Sequence, residues 1–178
     1  MKTQSKFSGI AILLIVSTIR VFAQSSATAD VSATIITPLM LTHSGTDMDF
    51  GNIGVQSTSG GTVILTPSGT RTTAGAGGVI LPSNAGSVSA AAFRVSGQAN
   101  CTYSVILPKS CILTHTNNTD FMTVDTFTSS LSTANGSGLL NASGVQNLLV
   151  GATLNIAANQ VAGLYTSGTA FTVTVNYN

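Results

Sequence analysis

Charge is what this sequence has least of. Of 178 residues only 11 are Asp, Glu, Lys or Arg (6%), Glu and Trp are absent, and Cys occurs twice. An ordinary soluble domain carries about 25% charged residues. Six Lys plus Arg cannot build the basic patch that phosphate neutralisation requires, so no nucleic-acid partner is expected. Acid–base catalysis needs His or carboxylates gathered in a pocket, and the chain offers two His and five Asp. None of its 22 Ser stands in a Gly-x-Ser-x-Gly nucleophile elbow. The Gly-rich run Ala74 to Gly78 lacks the Gly-Lys-Ser/Thr ending of a phosphate loop. No enzymatic activity and no cofactor are expected. His43, Asp47 and Asp49 could offer metal ligands, but three on one segment without a defined loop read better as polar residues at a strand entrance.

What the sequence does have is hydroxyl and apolar side chains: 22 Ser and 26 Thr beside 18 Gly and 43% hydrophobic residues. A mean hydropathy of +0.42 with a formal charge of +1 excludes a disordered chain. Part of that hydropathy sits at the start. Lys2 and Lys6 precede the apolar run Ile10 to Val16, and Val21-Phe22-Ala23 suits a signal peptidase, so residues 1–23 read as a signal peptide cleaved before Gln24. The run is too short to span a bilayer, which takes about 20 apolar residues, and no second run of that length follows. The mature part, 24–178, keeps Arg71, Arg94 and Lys109 against five Asp, a formal charge of −2. It has the size of one domain.

Both cysteines, Cys101 and Cys111, lie in that part. In an exported chain an even pair reads as a disulfide, and closing so short a loop would stabilise by about 2–3 kcal/mol. The alternative is two buried free thiols.

A two-residue period runs through most of the mature sequence. Ala27, Ala29, Val31, Ala33 and Ile35 alternate with polar residues up to Pro38. The pattern recurs at Val63 and Leu65, at Phe93 and Val95, and at Tyr103, Val105 and Leu107. It is longest from Leu148 to Ala158 and closes the chain at Phe171, Val173, Val175 and Tyr177. Leu131 to Val145, rich in Ser, Gly and Asn, reads as a loop. No stretch sustains a helical apolar stripe, so eight to ten short strands in an antiparallel β-sandwich are expected, with a closed barrel as the competing architecture.

Several of these segments, in this order, resemble a bacterial secreted family, domain-of-unknown-function family 4402. They are Val31 to Leu39, Met48-Asp49-Phe50-Gly51, Gly60 to Val63, Phe93 to Gly97, Val150 to Leu154, Ala162 to Tyr165 and Phe171 to Asn178. The chain is more distantly similar to the spore-coat-U-like subunits of archaic chaperone–usher pili. That resemblance implies an immunoglobulin-like, pilin-like subunit that completes its sheet with a strand from a neighbour, and it implies a periplasmic chaperone. Residues 27–36 are then the candidate donor, with Val31 and Ile35 as anchors, and Phe171, Val173, Val175 and Tyr177 the candidate acceptor edge. The plainer alternative makes 27–36 the first strand of the chain's own sandwich. The function expected is a non-enzymatic structural subunit, fimbria-like or matrix-forming, at the surface or in the periplasm of a Gram-negative bacterium. The alternative is a surface binding module for glycans or host material, using loops such as Ser129 to Gly144.

Overall fold

The computed structural model describes residues 24–75, 77–131 and 136–178; the expected signal segment lies outside them. The chain divides into two compact units, 1–34 and 35–178. In the first, residues 24–34 form neither strand nor helix, and every one is exposed. The alternating residues 27–36 thus form no strand within this chain.

The second unit is all-β. Its strands are β1 (Met40–His43), β2 (Gly54–Val55), β3 (Gly61–Leu65), β4 (Arg71–Ala74), β5 (Val79–Ile80), β6 (Ala91–Ser96), β7 (Thr102–Ile106), β8 (Ser110–His115), β9 (Phe121–Ser129), β10 (Ser137–Leu139), β11 (Val145–Ile156), β12 (Tyr165–Ser167) and β13 (Thr174–Tyr177). All pair antiparallel. The large sheet runs β1-β6-β11-β9-β8-β12, with the β3–β4 hairpin attached to β11. A three-stranded sheet, β10-β7-β13, and a small β2–β5 ribbon complete the molecule. The sheets are open, so the architecture is a sandwich and not a barrel.

Strand β11 is the spine. Its first half pairs with β6, its second half with β3, and β9 lies along its other edge. Its inward residues Leu148, Val150, Ala152, Leu154 and Ile156 alternate with Leu149, Thr153 and Asn155, the pattern read from the sequence. These inward residues divide between two cores. Ala152, Leu154 and Ile156 join Phe50, Val63, Leu65, Val79 and Val124. Leu148 and Val150 join Ala91, Val95, Tyr103, Leu140 and Val173 under the three-stranded sheet. Each fully buried Leu or Val contributes about 1.5–3 kcal/mol.

Phe127 packs against both cores, and a β-bulge puts it there. Val124 points inward, so strict alternation would turn residue 127 outward. The pairing of β9 with β11 slips between Gly151 and Thr153, and Thr126 adopts φ 48°. The extra residue reverses the parity of the strand.

The chain crosses between the large and the three-stranded sheet five times, and two of these crossings bear on the cysteines. Between β6 and β7 the chain passes from the large sheet to the small one, and between β7 and β8 it passes back. Cys101 and Cys111 therefore precede and occupy strands of different sheets, and both are free thiols. This corrects the expected disulfide. Pro108 lies in the crossover between the two sheets, not in a hairpin turn. Burial pushes the Cys111 thiol pKa up, a shift moderated by its contact with the Ile112 carbonyl.

Arg71 at the start of β4 carries a charge with no acidic partner among the described residues. Its guanidinium instead donates to the backbone carbonyls of Phe50, Asn52 (2.8 Å) and Ala85 (3.4 Å). One side chain thus ties the Asp49-Phe50-Gly51 turn and the 82–86 turn to the β3–β4 hairpin. Arg71→Met is expected to cost about 2–3 kcal/mol, since it leaves part-buried carbonyls without their charged donor. A change in urea midpoint of less than a few tenths molar would count against this role.

Candidate functional site

Five strands, β1, β4, β10, β12 and β13, end the large and the three-stranded sheet, and β1 and β13 face one another. β1 pairs only with β6, and β13 only with β7, so each has a free edge among the described residues. The facing edges bound a seam into the second core. Its walls are the half-buried Leu39 and Leu41 from β1 and its approach, Phe93 from β6, and Phe171, Val175 and Tyr177 from the terminal segment. The ring of Phe93 meets His43 edge-on at 5.6 Å and Phe171 at 6.1 Å, and Phe171 lies 5.2 Å from Phe127. An aromatic row thus follows the seam, buried on one side only.

Of the candidate acceptor residues, Val175 and Tyr177 lie in β13, while Phe171 and Val173 precede it. Val173 is buried, and Thr172, Thr174 and Asn176 face solvent, so the predicted alternation holds across the whole segment. The opposite wall was not read from the sequence. Leu39 and Leu41 are visible as apolar residues, but pairing β1 with β6 joins residues 50 or more positions apart, for example Met40 with Ser96.

One end of the seam is latched. The Tyr177 hydroxyl donates to the Thr37 carbonyl at 2.7 Å and accepts from the Gln98 backbone N–H at 2.6 Å. Thr37 N–H donates to the Gln98 side-chain oxygen at 3.3 Å. Gly97 is needed beside this latch, because a β-carbon there would run into the Tyr177 hydroxyl. Pro38 holds Thr37 in an extended conformation. Just before this fixed point the chain is bare: residues 24–36 are all exposed, with Val31 at 95% and Ile35 at 97%. The candidate donor residues Ala27, Ala29, Val31, Ala33 and Ile35 thus have no burial of their own in this chain.

The other sequence-level candidates are dispersed. His43 Nε2 lies 3.4 Å from the exposed Asp47 carboxylate and 3.0 Å from the Thr46 carbonyl. Asp49 instead accepts the Gly51 N–H at 2.7 Å, bracing its own turn. Among the described residues no three His, Cys, Asp or Glu are grouped for a metal. Part of the expected loop 131–145 is strand β10, and residues 132–135 lie outside the described ones. No described helix is long and apolar enough to cross a membrane.

Comparison with protein families gives one match, over residues 39–177, to the model described as a domain of unknown function, DUF4402. The chain belongs to this family. No curated protein and no solved structure matches it. The DUF4402 match begins at Leu39 and ends at Tyr177, so it takes in both walls of the seam and leaves out the exposed residues 24–36.

Proposed function

We propose that this protein is a secreted, non-enzymatic structural subunit of the bacterial surface, fimbria-like or matrix-forming. In this reading it assembles when residues 27–36 of one copy pair as a strand in the seam of the next. The observation that carries the proposal is the match between two unpaired features: an exposed segment with apolar residues at every second position, and two free strand edges bordering half-buried aromatic rings. Strand addition to such an edge draws affinity from backbone hydrogen bonds and specificity from alternate side chains. The scarcity of charge supports it, because charged side chains are the usual device for blocking edge-to-edge pairing. An immunoglobulin-like, pilin-like assembly, delivered by a signal peptide and held by a periplasmic chaperone before pairing, is the form this proposal takes.

Deletion of residues 24–34 tests it. Purified protein is expected to change from concentration-dependent oligomers to a folded monomer, and cells carrying the deletion are expected to lose surface filaments or matrix in electron micrographs. A truncated protein with the same assembly state as the full chain would end the proposal.

A further inference from the structure

The outer face of the large sheet holds a second feature, remote from the seam. A shallow depression of about 420 Å³ lies where β3, β9 and β11 meet the segment after β11, lined by Thr62, Phe121, Thr123, Asn155 and Gln160 among others. Phe121, at the start of β9, is 54% exposed and takes no part in either core. Two side-chain amides flank it, and the protein itself uses the NH2 group of each. Asn155 donates to the Thr123 carbonyl at 3.2 Å and to the Asp125 carboxylate at 2.9 Å. Gln160 donates to the Phe121 carbonyl at 3.3 Å and to the Tyr165 hydroxyl at 2.9 Å. That hydroxyl in turn donates to the Val161 carbonyl at 2.8 Å, which fixes the orientation of the Gln160 amide.

These bonds have a chemical consequence. With both NH2 groups engaged, what each amide has left to offer is its carbonyl oxygen, an acceptor with two lone pairs. The depression therefore combines fixed acceptors with one exposed aromatic face, whose π-surface carries partial negative charge. The Asp125 carboxylate already accepts from Asn155 and from Thr126 (3.0 Å). No cationic side chain lines the depression, so an anion finds no counter-charge here. The complementary ligand is uncharged, rich in hydroxyl donors on one edge and with a flat C–H face for the ring.

We propose that this depression is a binding site for a neutral pyranose sugar, stacked on Phe121 with its hydroxyls donating to Asn155 Oδ1 and Gln160 Oε1. The site lies on the sheet face and not at the seam, so it is open to solvent whether or not the edges are paired.

The test is a heteronuclear NMR titration of the protein with maltose, cellobiose, lactose and mannobiose, with glycerol as the control polyol. At least one disaccharide is expected to give saturable shifts confined to the backbone of 121–123 and 155–160 and the side-chain NH2 groups of Asn155 and Gln160. Phe121→Ala, a change at an exposed position, is expected to weaken that binding about tenfold or more, and Phe121→Tyr to retain it. The proposal is overturned if no disaccharide gives saturable shifts, if glycerol reproduces them, if Phe121→Ala leaves them unchanged, or if galacturonic acid binds more tightly than the neutral sugars.

Discussion

Replacing Val31 and Ile35 together by Asp is expected to lower self-association by about two to four orders of magnitude while leaving the unfolding midpoint of the isolated chain unchanged. Both side chains are almost fully exposed, so the fold loses no contact when they change. In a neighbour's seam each would bury an apolar group, a gain of about 1.5–3 kcal/mol apiece, and every 1.4 kcal/mol is tenfold in affinity. The period of the segment supplies an internal control. Ser32 and Thr34 lie on the opposite face of an extended strand, so Ser32→Asp and Thr34→Asp are expected to change association far less. Sedimentation velocity across a concentration series reads both results. Equal effects from the two pairs would mean that the segment does not bind as a strand.

The largest effect on stability is expected at Tyr103. Its side chain is 0% exposed, in the middle of the second core. Its hydroxyl donates to Gln146 Oε1 at 2.7 Å, an oxygen that also accepts the Leu139 N–H at 3.1 Å, so one half-buried amide joins both sheets. Gly138 lies over the ring, where a β-carbon would strike it. Tyr103→Ala removes the ring and leaves a cavity, at a cost of about 3–5 kcal/mol, a large part of the stability of a domain of this size. Tyr103→Phe keeps the ring and loses the hydrogen bond, a cost of about 1 kcal/mol. Burial also pushes the Tyr103 pKa up to about 12 from 10.0. The folded state therefore holds its proton after the unfolded state has lost it. The contribution is fully present below pH 10, declines as pH rises, and is gone above about pH 12. Urea midpoints of the native protein and of Tyr103→Phe, compared from pH 9 upward, are expected to converge over that window; parallel curves would contradict the assignment.

Strands that face a core were legible in the sequence, and strands that face little were not. β3, β6, β7 and β11 show their inward residues as clean alternation. β4, Arg-Thr-Thr-Ala, and β12, Tyr-Thr-Ser, have almost no apolar period because they lie at sheet edges and bury little. β8 has a period, but nothing in it shows that its partners are β9 and β12 and not the preceding β7. The seam was half legible for the same reason. Phe171 to Tyr177 alternates and could be read directly, whereas its opposite wall depends on a pairing across 50 residues. At 27–36 alternation states that one face seeks burial and is silent on which molecule supplies it. Two amides turned outward beside Phe121 have no periodic signature, since their orientation comes from partners on other strands.

The position of β11 in the chain also has a consequence for how the molecule is made. Its neighbours β3, β6 and β9 are all synthesised before it, and Gly61 waits for Ile156. The large sheet has no centre until β11 has been made, so β3, β6 and β9 each remain unpaired on one side until then. Contacts this distant in sequence make folding slow, because loop closure precedes any return from pairing. A chain with few charges and many strand edges spends that interval in its most aggregation-prone form. The time before folding, more than the folded state, is where this sequence is most in need of help.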